Sequence, residues 1–174
     1  MRQSATSPFE DAKKQRGKGG ANRSFDPSKH PRGGDGRFVS TGTRLTEAAA
    51  QAGQNAVNHV VFANVRRPAA LSKMAGEDVR GFKHAASNQA MRHSLRQHGD
   101  AKIEKARGQK PVIMDDFAKL PQVMRTGIYH QAEQRAFGPR RIEVHATIDG
   151  VRYIYVGEIR RKQRRIDMVT MWKR

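Results

Sequence analysis

Asp149-Gly150 is the pair of residues that most restricts how this chain can fold. A type I′ turn needs positive φ at both central positions, which Asp and Gly tolerate, so the pair predicts a tight two-residue hairpin. The flanking segments agree. Arg140 to Ile148 alternates, with Ile142, Val144, Ala146 and Ile148 on one face and Glu143, His145 and Thr147 on the other. Val151 to Arg160 reads as the returning strand, and Ile166 to Trp172 as a third. A strand near Gly127 to His130 completes a predicted four-stranded antiparallel sheet.

Helical signals precede the strands. Residues 1–44 are rich in Gly, Pro, Ser and charge and are expected to be a disordered basic arm or linker. From residue 45 to 64 the chain turns apolar, with Thr46 as a candidate N-cap and Ala48, Gln51, Ala52, Val57, Val60 and Val61 in helical reach. Arg66-Arg67-Pro68 ends that helix, and 68–84 reads as a connector with one further helical turn. Ser87 can cap a helix running to about His98, with Gly99 as its C′ residue. Asp100 to Arg107 suggests a second short helix, and Asp115 or Asp116 can cap a third through Phe117, Leu120 and Val123. Helices followed by strands make an α+β order. The expected division is an arm over 1–44, a helical connector over 45–84 and a folded domain over 85–174.

Charge narrows the partners. Lys and Arg number 34 against 16 Asp and Glu, a net charge of +18. Such an excess favours a polyanion, of which nucleic acid is the commonest. With no cysteine there is neither a disulfide framework nor a thiolate metal site. No apolar run is long enough to span a bilayer, and residues 1–20 lack the apolar core of a signal peptide, so a soluble protein without a membrane partner is expected. Phosphate-binding glycine loops, H-E-x-x-H and G-x-S-x-G are all missing. No acidic cluster suits two magnesium ions either, so no metal or cofactor is expected.

The chemistry-bearing residues fall into three groups. His93 and His98 lie on the Ser87–His98 helix beside Arg92 and Arg96, which could hold a phosphate next to an imidazole. On a regular helix Met91, Leu95 and His98 share one side, and His93 lies about 140° from His98, so the two cannot share a site unless the helix ends at Gln97. A core-edge His98 and a solvated His93 are the alternative. The second group is the basic loop Arg160, Arg161, Lys162, Arg164 and Arg165, either tracking a phosphate backbone or simply solvated. Met168, Thr170 and Trp172 of the next strand are expected to share a face, with Thr170 a candidate phosphate donor and Trp172 either stacking platform or core. The third is the central hairpin. Tyr153 and Tyr155 could stack bases or pack the core, and Glu143 or His145 could supply a general base or merely decorate a solvated face.

The run H-S-L-R-Q-H-G-D (His93 to Asp100), Glu104, Arg107-Gly108-Gln109, Asp116-Phe117, Leu120-Pro121, the Asp149-Gly150 hairpin and the closing M-V-T-M-W-K together resemble the phage-encoded barnase/EndoU/colicin E5–D/RelE-like nucleases. These domains occur in phage polyvalent and head-morphogenesis proteins, and the resemblance covers about residues 85–174. It implies helices packed on a four-stranded antiparallel sheet. It also implies a metal-independent endoribonuclease, acting as a toxin or host-takeover effector: a base activates the ribose 2′-OH, an acid protonates the leaving 5′-oxygen, and a 2′,3′-cyclic phosphate results. Carried onto this chain, His93 and His98 become acid–base candidates and Lys162 and Thr170 phosphate-stabilising ones, with Arg92, Arg96, Arg160, Arg161, Arg164 and Arg165 binding nucleic acid. RNA, tRNA included, is then the expected substrate, an inhibitor or immunity protein a candidate partner, and the cytoplasm of a bacterial host the expected setting. The competing expectation is a non-catalytic nucleic-acid-binding or virion structural protein.

Overall fold

A computed structural model describes residues 40–51 and 57–174. The arm expected over 1–44 lies outside these residues except for its last five. Ser40 is the N-cap and the other four begin a helix, α1 (Thr41–Ala50), the Ser40 hydroxyl accepting from the Thr43 N–H. Thr46, expected as the cap, sits inside that helix with its hydroxyl bonded back to the Gly42 carbonyl.

The expected helical connector is corrected next. Val60 and Val61 belong to a strand, β1 (His59–Asn64), in which Val60 and Phe62 are buried and Val61 is exposed. Branched side chains at alternating burial suit a pleat better than a helix. Helix α2 (Pro68–Ala75) follows, then β2 (Lys83–Ser87). β2 was unreadable because K-H-A-A-S carries little strand propensity; its place is set by its partners.

Ser87 caps α3 (Asn88–His98), its hydroxyl accepting from the Ala90 N–H. Asp100 caps α4 (Ala101–Ala106), and a 3₁₀ helix over Met114–Lys119 leads into α5 (Leu120–Thr126). Gly99 keeps a right-handed backbone, φ −94°, so His98 stays helical. The four strands β3 (Ile128–Gln131), β4 (Arg141–Ile148), β5 (Val151–Arg160) and β6 (Arg165–Lys173) form the expected antiparallel set. Asp149 and Gly150 take φ of 51° and 72°, as a type I′ turn requires.

The sheet is nevertheless six-stranded and mixed, in the order β1-β2-β6-β5-β4-β3, with β2 parallel to β6. It also curls. Tyr129 of β3 brings its hydroxyl within 3.0 Å of His84 Nε2 on β2. A flat sheet would hold those strands about 19 Å apart, four strand spacings. The inner face carries Phe62, Ile142, Val144, Tyr153, Tyr155, Ile166 and Met171, packed against Leu45, Met91, Phe117, Leu120 and Val123 from the helices. Tyr153 and Tyr155 are therefore core residues, their hydroxyls donating to Asp116 and to the Ile166 carbonyl.

Candidate active site

The outer face of the sheet is built by the residues that alternate with that core. Cross-strand pairing puts His130, Glu143, Val156 and Thr170 in one row. The next row runs Ile128, His145, Ile154 and Trp172, and on the other side lie Arg141, Glu158 and Asp167. Thr170 and Trp172 reach this face through an irregularity. Val156 pairs with Thr170 but Gly157 pairs with Met168, so Val169 is an extra residue on β6. The bulge reverses the alternation. Met168 and Met171 both pack inward, and the expectation that Met168 shares a face with Thr170 and Trp172 is corrected.

Glu143 stands at the centre. It accepts a hydrogen bond from His145 Nε2 at 2.7 Å, and His145 Nδ1 receives one from Arg152 at 3.0 Å. Both nitrogens of His145 are thereby engaged, which holds its ring and aims the carboxylate. His130 faces Glu143 across the β3–β4 ladder, its ring centroid 4.2 Å from that of His145. Arg141 makes two hydrogen bonds to Glu158 Oε1, at 3.0 and 2.6 Å. Glu143, Arg141, Val156 and Thr170 line a cleft of about 400 Å³, whose opposite wall is the β3–β4 connection from Ala132 to Arg135.

Helix α3 closes the flank. Beyond Asp167, β6 has lost β2 as a neighbour, and Ser94 takes over: its buried hydroxyl accepts from the Met171 N–H at 3.1 Å. The same hydroxyl points at Thr170 Oγ1, 3.3 Å away, and donates to the Ala90 carbonyl at 3.0 Å. Its single hydrogen can instead turn to Thr170, which then aims its own hydrogen into the cleft it lines.

The other expected site residues are dispersed. His98 packs beside Trp172, in the row next to Thr170, its ring 5.8 Å from the indole and its Nδ1 3.4 Å from Glu104, a fully buried carboxylate that also holds Arg107 at 2.7 Å. His93 points outward into a separate recess of about 370 Å³ with Arg96, Gln97, Ile103 and Arg107. Arg92 is exposed on the same helix. Lys162 is exposed in the β5–β6 turn. It sits beyond Arg165, which is itself five residues or roughly 16 Å of strand from Thr170. The rest of the basic loop is tied down. Arg160 pairs with Glu158, Arg161 with Glu77 and Arg165 with Asp167, while Arg164 donates to the Arg80 carbonyl and covers the Phe82 ring.

Glu143 and His145 were legible as base candidates from strand alternation alone. His130, Arg141 and Arg152 were not, since only strand register brings them to Glu143. Among the described residues no three His, Asp or Glu side chains converge on a metal position. No helix among them is long and apolar enough to cross a membrane.

Comparison with known proteins bears on this arrangement. The family model described as phage-Barnase-EndoU-ColicinE5/D-RelE like nuclease3 matches residues 62–174, more than half of the chain. The match takes in the second half of β1 and all of β2 to β6. No curated protein and no solved structure matches.

Proposed function

This chain belongs to the phage Barnase–EndoU–Colicin E5/D–RelE-like nuclease family, and from that premise we propose that it is a metal-independent endoribonuclease whose reaction centre is the Glu143 cleft. The observation that carries the reading is Glu143 itself, aimed by His145, faced by His130 and sharing a cleft with Thr170. In this reading Glu143 removes the proton of a ribose 2′-OH. The freed oxygen attacks the adjacent phosphorus, and His130 protonates the departing 5′-oxygen. The products are a 2′,3′-cyclic phosphate and a 5′-hydroxyl. Thr170 donates its hydroxyl hydrogen to a non-bridging oxygen, and Arg141, held by Glu158, places positive charge beside the phosphorane. His145 keeps the carboxylate pointed, and Arg152 holds His145.

The dispersed residues take other roles. His93 and Arg96 with Arg107 offer a recess for a flanking phosphate, and Arg92 extends that basic surface. His98 positions Trp172 in the row next to Thr170. Lys162, exposed and without an ion-pair partner among the described residues, is free for a distal phosphate, whereas Arg160, Arg161, Arg164 and Arg165 serve the fold first.

The test is cleavage of single-stranded RNA in EDTA with analysis of the new ends. Cyclic phosphate ends are expected, and Glu143→Gln and His130→Ala should each lower the rate about 10²–10⁴-fold. Cleavage that needs a divalent ion, or that survives Glu143→Gln, sinks the mechanism. Salt-dependent RNA binding without cleavage would leave a binding protein.

A further inference from the structure

The connection between β3 and β4 walls the cleft and carries a side chain that packing does not explain. Phe137 is 91 % exposed. The loop around it is nevertheless well rooted. Gln134 donates to the carbonyls of Ala132 and Arg141, at 2.6 and 2.9 Å, and accepts from the Arg141 N–H at 3.0 Å. Gly138 then takes φ of 112°, a conformation that side-chain-bearing residues rarely adopt. Pro139 follows it. Root and turn together push Phe137 outward.

Its surroundings identify what would cover it. Arg135 lines the Glu143 cleft, and Phe137 Cα can lie no more than about 7 Å from that of Arg135, two residues away. Arg135 and Arg140 flank the ring on either side in the chain, and both are exposed. An exposed aromatic ring with an arginine two residues before it and another three after, on the loop that walls a cleft suited to a phosphodiester, matches a nucleotide: base on ring, phosphates on arginines. A protein-docking surface would instead pair the ring with neighbouring apolar side chains, whereas here its neighbours are Ala, Gly, Pro and Arg.

We infer that Phe137 is a stacking platform for the RNA base adjacent to the scissile phosphate, with Arg135 and Arg140 holding the phosphates beside it. This rests on the ribonuclease reading of the Glu143 cleft. It makes recognition depend on an unpaired base, so the enzyme selects single-stranded or looped RNA over duplex.

The experiment uses a single-stranded 2′-O-methyl oligonucleotide carrying 2-aminopurine, which the proposed reaction cannot cleave and whose fluorescence is quenched by stacking. The full chain should quench it. Phe137→Ala should lose the quench and bind about 5- to 150-fold more weakly, and Phe137→Trp should retain both. An unchanged quench in Phe137→Ala overturns the inference, as does a parent chain that does not bind. So does self-association of the parent, seen by sedimentation, that Phe137→Ala abolishes, because the ring is then a protein contact. Parallel cleavage of unmodified RNA separates the two ideas. Cleavage with no Phe137-dependent quench removes the platform alone, and a Phe137-dependent quench without cleavage removes the reaction alone.

Discussion

A histidine's chemistry depends on what its second nitrogen does, and three histidines here differ on that point. His145 has both nitrogens committed, to Glu143 and Arg152, and acts as an orienting group. His130 stacks beside it and is exposed on β3. His98 is held by Glu104 and packed against Trp172. His98→Ala is accordingly expected to lower the melting temperature while leaving RNA cleavage within about tenfold of the parent, well short of the loss due to a missing acid or base. Kinetics on the folded fraction decide it, and a loss equal to that of Glu143→Gln would put His98 into the reaction. From sequence alone His98 and His145 were both acid–base candidates and His130 was not one; strand register and hydrogen-bond partners redraw that order.

At the scale of elements, the junction of α3 with β6 sets the site. β2 ends at Ser87, and the chain turns at once into α3, which runs along the β6 edge that β2 leaves open. The Ser94 hydroxyl there does the work of a missing strand, accepting the Met171 N–H. Ser94→Ala removes that acceptor from a fully buried amide and should cost about 1–3 kcal/mol in urea unfolding. Ser94→Thr keeps a hydroxyl and should recover part of it. The Val169 bulge sits beside this contact and turns Thr170 and Trp172 outward. Simple alternation placed them with Met168, because a bulge is fixed by the partner strand and leaves no mark in its own sequence.

At the scale of the whole molecule, the curl of the sheet creates a buried polar contact across its two sides. His84 is fully buried among Phe62, Tyr129 and Tyr155, and burial pushes its pKa from the ordinary 6.5 down to about 3. The folded chain thus holds His84 neutral, while the unfolded chain protonates it below about pH 6.5. The stability this neutrality allows is complete above pH 6.5 and is lost as pH falls toward 3, by about 1.4 kcal/mol per pH unit. Urea unfolding at pH 7.5 and 5 should show that loss, and His84→Gln should flatten it; an equal slope in both chains would place the acid sensitivity elsewhere. The antiparallel strands β3 to β6, the hairpin turn and the caps at Ser87 and Asp100 were determined by the sequence itself, because turn chemistry, alternation and capping act between residues close in the chain. The reach of β1 and β2 into the sheet, the bulge at Val169, the curl that joins His84 to Tyr129 and the gathering of His130, Glu143, His145 and Thr170 were decided by the tertiary structure. Each depends on register between distant segments, and register is chosen by the packing of the finished core.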